Sequence, residues 1–444
     1  MKKFHTIAVA MAAMAFASVA SATTASIDKL SLYARAFGEI AYAHINNFMA
    51  NQGLMLGVNN LTGLIPTMFE ALDTVSREAV GFIPAVKRNS SAEKAALGQV
   101  ITIPVTQQGT LIDITPGVTA AGTGGQTVAP NTMTISKSKA YEVLWGGEEQ
   151  RGQLNAGTYN STLLDQFMQG FRTLANAVEG DLASLAINAS RAYGTAGTTP
   201  FGVSADLSDF AQSRKILIDN GAPQTDLQMV MNTAAAANMR GKQAGLFKVN
   251  EAGSEILLRT GSIALPVDGF YPHESGQIKS FTKGTGTNYT SNTAGYAAGA
   301  TVVNIITGTG TVLAGDVVTW AGDPNKYVVA VGNTAAGPIT LAAPGLLQAI
   351  PAAATAMTIG GSYTANLAFN RSAIQLITRA PAMPVGPDGK PMDMADDVVE
   401  MVDPISGLVY QIAMYKMYRQ IKYEIGLAWG VKAAKSEHIA LLLG

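Results

Sequence analysis

The chain of 444 residues contains no cysteine, and charged residues make up only 14% of it. The absence of cysteine excludes disulfides, thiolate catalysis and cysteine-ligated metal sites, and it fits any redox compartment. Charged residues normally make up about a quarter of a chain. With 48% hydrophobic residues and a net charge of −1, this chain should bury much of its surface in its own core or against partners. Its length predicts two to four domains.

The charge balance and the histidines exclude further classes of site. A net charge near zero argues against tight, sequence-specific DNA binding, which normally shows as a basic patch. The histidines lie far apart in the sequence, so no histidine metal cluster is visible: His5, His44, His273 and His438. Glu274 follows His273, but no second histidine completes a metalloprotease pair. We interpret His273 as a surface loop residue.

Motifs for phosphate, dinucleotide and acid–base chemistry are incomplete. Gly241-Lys242 lacks the earlier glycine and the hydroxyl of a phosphate-binding loop, and the Gly-Thr-Gly sequences at 284–286 and 308–310 precede no helical pattern. Paired carboxylates can serve acid–base or metal chemistry, but a solvated loop or an intersubunit charge contact is the simpler interpretation of the two acidic clusters. These are Glu148 with Glu149, and Asp393, Asp396, Asp397, Glu400 and Asp403. We predict no catalytic residue, no cofactor, no metal site and no enzyme activity.

The first 58 residues carry two features of their own. Lys2 and Lys3 precede an uncharged run that ends Val-Ala-Ser-Ala at Ala22, which is typical of a secretory signal and too short for a comfortable membrane span. Residues 27–49 place apolar side chains at spacings of three and four, which predicts an amphipathic helix. Three origins would explain these residues: a cleaved export signal, a start codon assigned too far upstream, or a shell-directed segment that is removed or retained during assembly.

The next hundred residues alternate between helical and extended patterns. A second helix is predicted from residue 64, with an apolar face of Met68, Leu72, Val75 and Ala79. A polar, basic stretch follows at 87–94, and then an extended segment at 100–105. Residues 107–131 are mostly Gly, Thr, Gln and Pro, which favours a long, mobile, two-stranded loop.

The strongest helical signal covers residues 162–192. Its apolar residues recur at spacings of three and four over more than 20 positions, so the helix should exceed about 30 Å. The packing face of this predicted helix consists of Leu163, Phe167, Phe171, Leu174, Val178, Leu182 and Leu185. A shorter helix at 210–220, a strand at 227–231 and an alanine-rich helix at 233–241 are predicted next.

The pattern changes between residues 277 and 365. Short β-type runs at 301–306, 317–320, 327–331, 339–341 and 357–359 are separated by Gly, Asn, Pro and Thr at roughly ten-residue spacing. This spacing predicts a small all-β barrel or sandwich inserted into another domain.

The clearest strand lies near the end of the chain. Apolar residues alternate there with small or polar ones at period two: Ile421, Tyr423, Ile425, Leu427, Trp429 and Val431. One more short strand is predicted at 438–443.

Four stretches in this order resemble a known family. They are 82–105, with Phe82-Ile83-Pro84 and Val100-Ile101-Thr102-Ile103-Pro104-Val105; 315–322, Gly-Asp-Val-Val-Thr-Trp-Ala-Gly; 366–384, with Ala373-Ile374-Gln375-Leu376-Ile377; and 425–443, which begins Ile-Gly-Leu-Ala-Trp-Gly-Val-Lys-Ala. Together they resemble the major capsid proteins of tailed bacteriophages, and in particular the coat-protein family of phage P twenty-two with its inserted barrel. The resemblance covers about residues 59–444.

The resemblance implies an α+β tailed-phage major capsid fold and a structural function. Such subunits form pentamers and hexamers, assemble on a scaffolding protein with a portal, and enclose double-stranded DNA through weak, non-specific contacts. The implied location is the virion capsid, assembled in the host cytoplasm, with no membrane in the mature form. The long helix would be the spine of the shell wall, and the 107–131 loop would overlap a neighbouring subunit.

Five regions are predicted on this basis. Residues 1–58 are a leader, 59–205 the N-arm, extended loop and spine-helix peripheral domain, and 206–276 the first part of the axial domain. Residues 277–365 are the inserted β-barrel, and 366–444 the second axial part with the closing strands. Export would prevent assembly around DNA, so we expect the mature subunit to begin after Ala22, between Met49 and Asn60, which an intact-mass measurement would test.

The main alternative is an exported bacterial surface-layer or adhesin-like protein rich in β-structure. The signal-like run and the Gly/Thr-rich β segment favour this alternative. The long helical stripe and the alanine helix argue against it. A porin and an enzyme of unknown class fit the sequence less well.

Overall fold

In a computed structural model, the described residues are 64, 66–68, 70–71, 80–90, 94–106, 128–156, 159–242, 266–384, 386–387, 392–403 and 406–444. Contacts group Ile65–Gly444 into one unit, and its described part mixes α-helices with β-strands. The signal-like run, the predicted helix at 27–49 and the residues Leu72, Val75 and Ala79 lie outside the described residues, as does most of the predicted 107–131 loop.

The helices of the described part vary from one turn to 26 residues. The longest, α3, forms where the apolar stripe predicts it, and α5 begins with a run of alanines, the residue with the highest helix propensity. The helices are α1 (Phe82–Ala85), α2 (Gly147–Ala156), α3 (Tyr159–Ser184), α4 (Ser208–Asp219) and α5 (Thr233–Lys242).

The predicted helix at 162–192 ends earlier than expected. The α-helix stops at Ser184, and Leu185–Asn188 form a 3₁₀ turn in which Leu185 is half-buried. The physical reason is the strand that follows, because Arg191–Tyr193 must be extended to pair with strands from two distant parts of the chain.

Most strands belong to two sheets. The strands of the first half of the chain are β1 (Lys87–Ser90), β2 (Val100–Thr106), β3 (Val128–Thr134), β4 (Lys137–Gly146), β5 (Arg191–Tyr193), β6 (Leu227–Met231), β7 (Phe270–Glu274), β8 (Ser280–Phe281), β9 (Thr290–Ser291) and β10 (Val302–Ile306). Those of the second half are β11 (Val317–Trp320), β12 (Lys326–Val331), β13 (Gly337–Leu341), β14 (Met357–Ile359), β15 (Tyr363–Asn370), β16 (Ile374–Arg379), β17 (Asp397–Val402), β18 (Val409–Met417), β19 (Gln420–Ala433) and β20 (Ile439–Leu443).

The first sheet is organised around the long strand β19. One edge of β19 pairs with β4, and the other edge pairs with β18 and then β16. β17 extends the sheet beyond β18, and β1 extends it beyond β16. The middle of β19 is buried on both faces, which is why its small residues Gly426 and Ala428 are as buried as the apolar ones beside them.

Strand β1 has no counterpart among the elements predicted from the sequence. Residues 87–94 are a polar, basic stretch for which the sequence predicts no strand, and Lys87–Ser90 form a strand parallel to β16. The strand lies at the edge of the sheet, where polar side chains can remain in water, so its sequence shows no apolar alternation. Its partner strand begins at Ile374, far along the chain, and local patterning carries no sign of such a pairing.

The second sheet contains strands from both the predicted axial domain and the predicted insert. Its strand order is β7-β6-β15-β20-β5-β12-β13-β10-β9. The step from β5 to β12 joins the insert to the rest of the chain, with Lys326 opposite Ala192 and Tyr327 opposite Arg191. Strands β10 to β14 correspond to the predicted β-type runs.

Among the described residues, one hydrophobic core consists of side chains from the predicted insert. This core contains Tyr289, Val303, Ile305, Val312, Val318, Trp320, Tyr327, Val329, Ile339, Leu341, Leu346, Ile350 and Met357. A separate core lies beneath β6 and packs against α4 and α5 through residues such as Phe210, Leu217 and Met239. The division of the chain into five regions stays a prediction.

Candidate functional site

The two strongest patterns in the sequence meet in the structure. Helix α3 packs across the first sheet, and the ring of Phe167 lies edge-on to that of Tyr423 on β19, with centroids 5.7 Å apart. Phe171 makes the same kind of contact with Tyr410 on β18 at 4.9 Å. Edge-to-face pairs of this kind stabilise a core beyond the area they bury.

Most residues of the predicted helix face are buried. The side chains of Leu163, Phe167, Phe171, Leu174, Val178 and Leu182 are at most 3% exposed, whereas Leu185 lies in the 3₁₀ turn. On the closing strand, Tyr423, Ile425, Leu427 and Trp429 are fully buried, and Ile421 and Val431 at its ends are half-buried. The role of these residues in a larger assembly stays a prediction.

A glycine allows α3 to approach the sheet closely. A Cβ at Gly170 would lie 2.7 Å from Cδ1 of Ile425 and 2.8 Å from Cδ1 of Tyr141. Gly180, on the same helix, has no atom within 4 Å of its Cβ position. The contact between α3 and the β4–β19 pair therefore depends on the missing side chain at position 170.

Two tryptophans fix the helix to the sheet through hydrogen bonds. Trp429 Nε1 donates to Asp181 Oδ2 at 2.8 Å, and Lys137 Nζ pairs with Asp181 Oδ1 at 2.6 Å. Near the other end of α3, Trp145 Nε1 donates to Gln166 Oε1 at 2.8 Å. Because each tryptophan has a polar partner at a fixed place on α3, these bonds set the register of helix on sheet.

Glu179 is a buried carboxylate that the sequence patterns did not reveal. Its oxygens accept hydrogen bonds from the backbone N–H groups of Phe82 and Ile83, at 3.1 and 2.7 Å, and from Ser275 Oγ at 2.8 Å. Burial raises the pKa of Glu179, and the donated hydrogen bonds oppose that rise. The one sequence signal was an acidic residue directly after Val178 of the apolar stripe.

The pair of strands that begins and ends the predicted loop is anchored on β19. β2 and β3 form an antiparallel ladder from Val100 opposite Thr134 to Thr106 opposite Val128. A Cβ at Gly430 would lie 2.2 Å from the carbonyl oxygen of Thr134, so glycine is needed where the ladder crosses the strand. Lys432 Nζ donates to Thr132 O at 2.6 Å.

The predicted family motif at 315–322 lies at the start of β11. Asp316 is buried, and its oxygens accept hydrogen bonds from the N–H groups of Gly284 and Leu313 at 2.9 and 2.7 Å. Burial raises the pKa of Asp316, against the effect of these bonds. The aspartate thus holds two loops together, and Trp320 at the other end of β11 enters the core of the insert.

The acidic clusters are dispersed among structural contacts. Asp403 is 1% exposed, and its carboxylate accepts a hydrogen bond from the backbone N–H of Ser406. This burial corrects the interpretation of Asp403 as part of a solvated loop. The buried carboxylate stabilises the turn between β17 and β18. Glu400 pairs with Lys94 at 3.4 Å. Glu149 accepts from the N–H of Gly146, and Glu148 is exposed. These carboxylates do not converge on one point.

His273 also differs from the expectation of a surface loop. It lies in strand β7, half-buried, with Nε2 donating to Gln228 Oε1 at 2.8 Å. Burial, and then the nearby charge of Arg371, lowers the pKa of His273 to about 4. The pairing of β7 with β6 buries this side chain, and the short strand carried too little alternation to be recognised.

An apolar patch is exposed at one end of the first sheet. Tyr418, at the turn between β18 and β19, is 91% exposed, and Met417 beside it is 51% exposed. Met394, 89% exposed, lies in the segment that Asp396 ties to the N–H of Lys416 at 2.8 Å. We call Met394, Met417 and Tyr418 the tip patch.

The described residues contain neither a candidate metal site nor a candidate membrane-spanning helix. No group of three or more His, Cys, Asp or Glu side chains there could hold a metal ion. In the same part of the chain, no helix combines the length and hydropathy that crossing a bilayer requires.

Comparisons with known proteins found structural likenesses alone. No family profile and no curated protein matches the sequence. A structure titled Mycobacterium phage Che8 has 14% identity and a TM-score of 0.37, covering 78% of this chain and 84% of its own. A capsid structure of Cyanophage P-SCSP1u has 11% identity and a TM-score of 0.42, covering 83% and 88%.

A virus-like particle from Pyrococcus furiosus gives a third likeness, with 8% identity and a TM-score of 0.40, covering 85% of this chain and 98% of that one. All three TM-scores lie below 0.5. The function proposed below therefore rests on this chain's own sequence and geometry.

Proposed function

We propose that this chain is the major coat protein of a tailed bacteriophage, a shell subunit and not an enzyme. The observation that carries the proposal is the packing of one 26-residue helix, α3, across the sheet built on the closing strand β19. The resemblance assigns these two elements to the spine and the closing segment of a capsid subunit. Their contact supplies a rigid wall, which a shell needs because its walls carry load.

The remaining elements fit the same proposal in order along the chain. The short helix α1 and strand β1 are the N-arm, and the β2–β3 ladder is the base of the extended loop that overlaps a neighbour. Residues 277–365, with a core of their own, are the inserted barrel of the P twenty-two type. Helices α4 and α5 with β6 and β15 form the axial domain.

The partners follow from this function. The subunit assembles with itself into pentamers and hexamers on a scaffolding protein, with a portal at one vertex. It encloses double-stranded DNA in the virion, with assembly in the host cytoplasm and no membrane in the mature form. A net charge of −1 with 14% charged residues supports weak, non-specific contact with DNA.

The tip patch supports self-association. Exposed Met and Tyr side chains grouped at one place are typical of protein interfaces. The pair Arg419–Glu148, 3.6 Å apart at the same end of the sheet, adds charges of both signs at the patch border. Charges of both signs at the edge of an interface increase its specificity for the correct partner more than they increase the binding affinity.

Negative-stain imaging and sedimentation of the purified full chain test the proposal. We expect closed icosahedral shells, and Tyr418→Ser should reduce the shell fraction with unchanged subunit stability. Tyr271→Ser is the matched control, because Tyr271 is also exposed, at 44%, but lies outside the tip patch. Planar lattices would support the surface-layer alternative, and particles of single subunits at all concentrations would reject shell formation.

A further inference from the structure

A cavity of about 380 Å³ lies where the predicted insert joins the rest of the chain. Strand β5 forms one wall, helix α4 another, and the turn between β11 and β12 the third. Its polar lining includes Arg191, Lys215, Lys326, Gln212, Asn325 and Thr195. Three cationic side chains from three separate elements therefore border one cavity.

The negative charge at this cavity is smaller than the positive charge. Asp219 Oδ2 lies 3.0 Å from Lys215 Nζ and 3.5 Å from Arg191 Nη2. Lys326 Nζ donates to the carbonyl oxygen of Gly194. Within the described ranges, Asp219 is the carboxylate that pairs with these cations, and Asp323, in the same turn as Asn325, accepts hydrogen bonds from that residue. The three cations therefore outnumber these two carboxylates by one.

Arg191 carries the strongest indication of a ligand. Its side chain is 2% exposed. Nη2 of Arg191 donates to Ile216 O at 3.3 Å and to Asn220 Oδ1 at 3.1 Å. These acceptors, in the last turn of α4 and directly after it, compensate for the burial of the Arg191 side chain. Nε is buried, and none of the described residues accepts a hydrogen bond from it. A buried, unpaired donor on a guanidinium is costly unless an acceptor reaches it.

We propose that this cavity binds a phosphate group, either of free inorganic phosphate or of a nucleic-acid backbone. A guanidinium with a free donor and two ammonium groups, each with three N–H donors, matches the charge and the several acceptor oxygens of a phosphate. Gln212, Asn325 and Thr195 add neutral donors at the border. The ligand neutralises the excess charge and occupies the acceptor position that Arg191 Nε lacks.

The position of the site gives binding a structural consequence. Lys326 belongs to the predicted insert, whereas Arg191 and Lys215 belong to the body of the chain. A phosphate bound between them adds a further connection to the β5–β12 pairing and the Lys326–Gly194 hydrogen bond. We therefore expect phosphate to raise the thermal stability of the protein, and this expectation does not depend on shell formation.

Isothermal titration of the full chain with sodium phosphate, at ionic strength held constant with sodium chloride, tests the proposal. Lys215→Gln and Lys326→Gln should each weaken phosphate binding about five- to tenfold. Lys416→Gln is the matched control, because Lys416 pairs with Asp396 at 61% and 35% exposure, much as Lys215 pairs with Asp219 at 62% and 35%. Thermal unfolding checks that each variant folds. If Lys326→Gln fails to fold, Lys215→Gln alone still tests the proposal.

A second arm identifies the source of the phosphate. A short DNA duplex that competes with phosphate in the wild type, and competes less in Lys215→Gln, assigns the site to a nucleic-acid backbone. Phosphate binding without competition by the duplex assigns it to the free anion. The absence of saturable phosphate binding, or an equal loss of affinity in Lys416→Gln, would overturn the proposal.

Discussion

The indole N–H of Trp429 donates a 2.8 Å hydrogen bond to Oδ2 of Asp181, a residue 248 positions earlier in the chain. The other oxygen of that carboxylate pairs with Lys137, which lies directly opposite Trp429 on the neighbouring strand. One side chain of α3 thus contacts both β4 and β19. The helix can neither slide along the sheet nor rotate on it without breaking these contacts.

A double-mutant cycle on Trp429→Phe and Asp181→Ala should measure this connection. We expect a coupling free energy of about 1–2 kcal/mol in urea unfolding, because the hydrogen bond reaches a charged, mostly buried acceptor. Lys137 is 41% exposed, so its ion pair should contribute less. The cycle of Trp145→Phe with Gln166→Ala, where the acceptor is neutral, is the control and should give a smaller value. Equal coupling in both cycles would contradict the role of the charge.

Phe171→Asp should prevent folding. The side chain is 1% exposed and contacts the ring of Tyr410, and an unpaired buried carboxylate costs several kcal/mol out of a total stability of about 5–15 kcal/mol. Thr173→Asp, on the exposed side of the same helix, should leave the soluble yield unchanged. Normal yield from the Phe171 variant would show that the helix face is not a buried core.

Two glycines of α3 should respond in opposite directions to alanine. Gly170→Ala should lower the free energy of unfolding by about 1–3 kcal/mol, because the new Cβ overlaps Ile425 and Tyr141. Gly180→Ala should raise it by about 0.5–1 kcal/mol, because alanine favours the helix and the position is open. Chemical denaturation of both variants measures the two free energies of unfolding. A loss of stability at both positions would contradict the prediction that steric overlap decides the effect at position 170 and helix propensity the effect at position 180.

Glu179 should make stability depend on pH with a defined sign. Burial raises its folded-state pKa above the ordinary value of 4.5, so the folded state holds the proton more tightly than the unfolded state does. The stability from this group is present below the unfolded value and is lost as pH rises through the folded one. The unfolding free energy of the wild type relative to Glu179→Gln should therefore fall as pH rises past 4.5.

Urea titrations at a series of pH values provide this comparison. A relative stability that instead rises with pH would mean that the hydrogen bonds from Phe82, Ile83 and Ser275 outweigh burial. Asp165→Asn, an exposed site on the same helix, serves as the reference and should show a nearly flat difference across the same range.

Residues 277–365 should fold when expressed alone. Their core is made entirely of their own side chains, so the apolar burial that drives folding survives excision. The β5–β12 pairing is lost, which should lower stability and leave the strand order intact. Dispersed amide NMR signals are expected, and a random-coil spectrum would refute independent folding.

Local patterns were sufficient for elements that are regular along their own length. The stripe from Leu163 to Leu182 predicts α3, the alternation from Ile421 to Val431 predicts β19, and the alanines after Thr233 predict α5. Each of these elements buries one periodic set of side chains, and periodicity is visible in a single sequence.

Features that depend on distant partners were missed. β1 and β7 are strands because each pairs with a strand from another part of the fold. β4 pairs with β19, almost 300 residues away, and none of its side chains from Lys137 to Glu142 is fully buried, so no regular apolar alternation marks it. Glu179 and Asp403 are buried because backbone or hydroxyl donors surround them. No local pattern specifies these long-range contacts.

The position of the last strands has a consequence for biosynthesis. β19 lies between β4 and the β18 and β16 strands, and β20 lies between β15 and β5. Neither sheet can therefore be completed until residues 420–443 have left the ribosome, whereas residues 277–365, with a core of their own, can fold earlier. A prematurely terminated polypeptide would lack the central strand of the first sheet and an internal strand of the second. Such a product would present open strand edges to chaperones and proteases rather than a finished subunit to its neighbours.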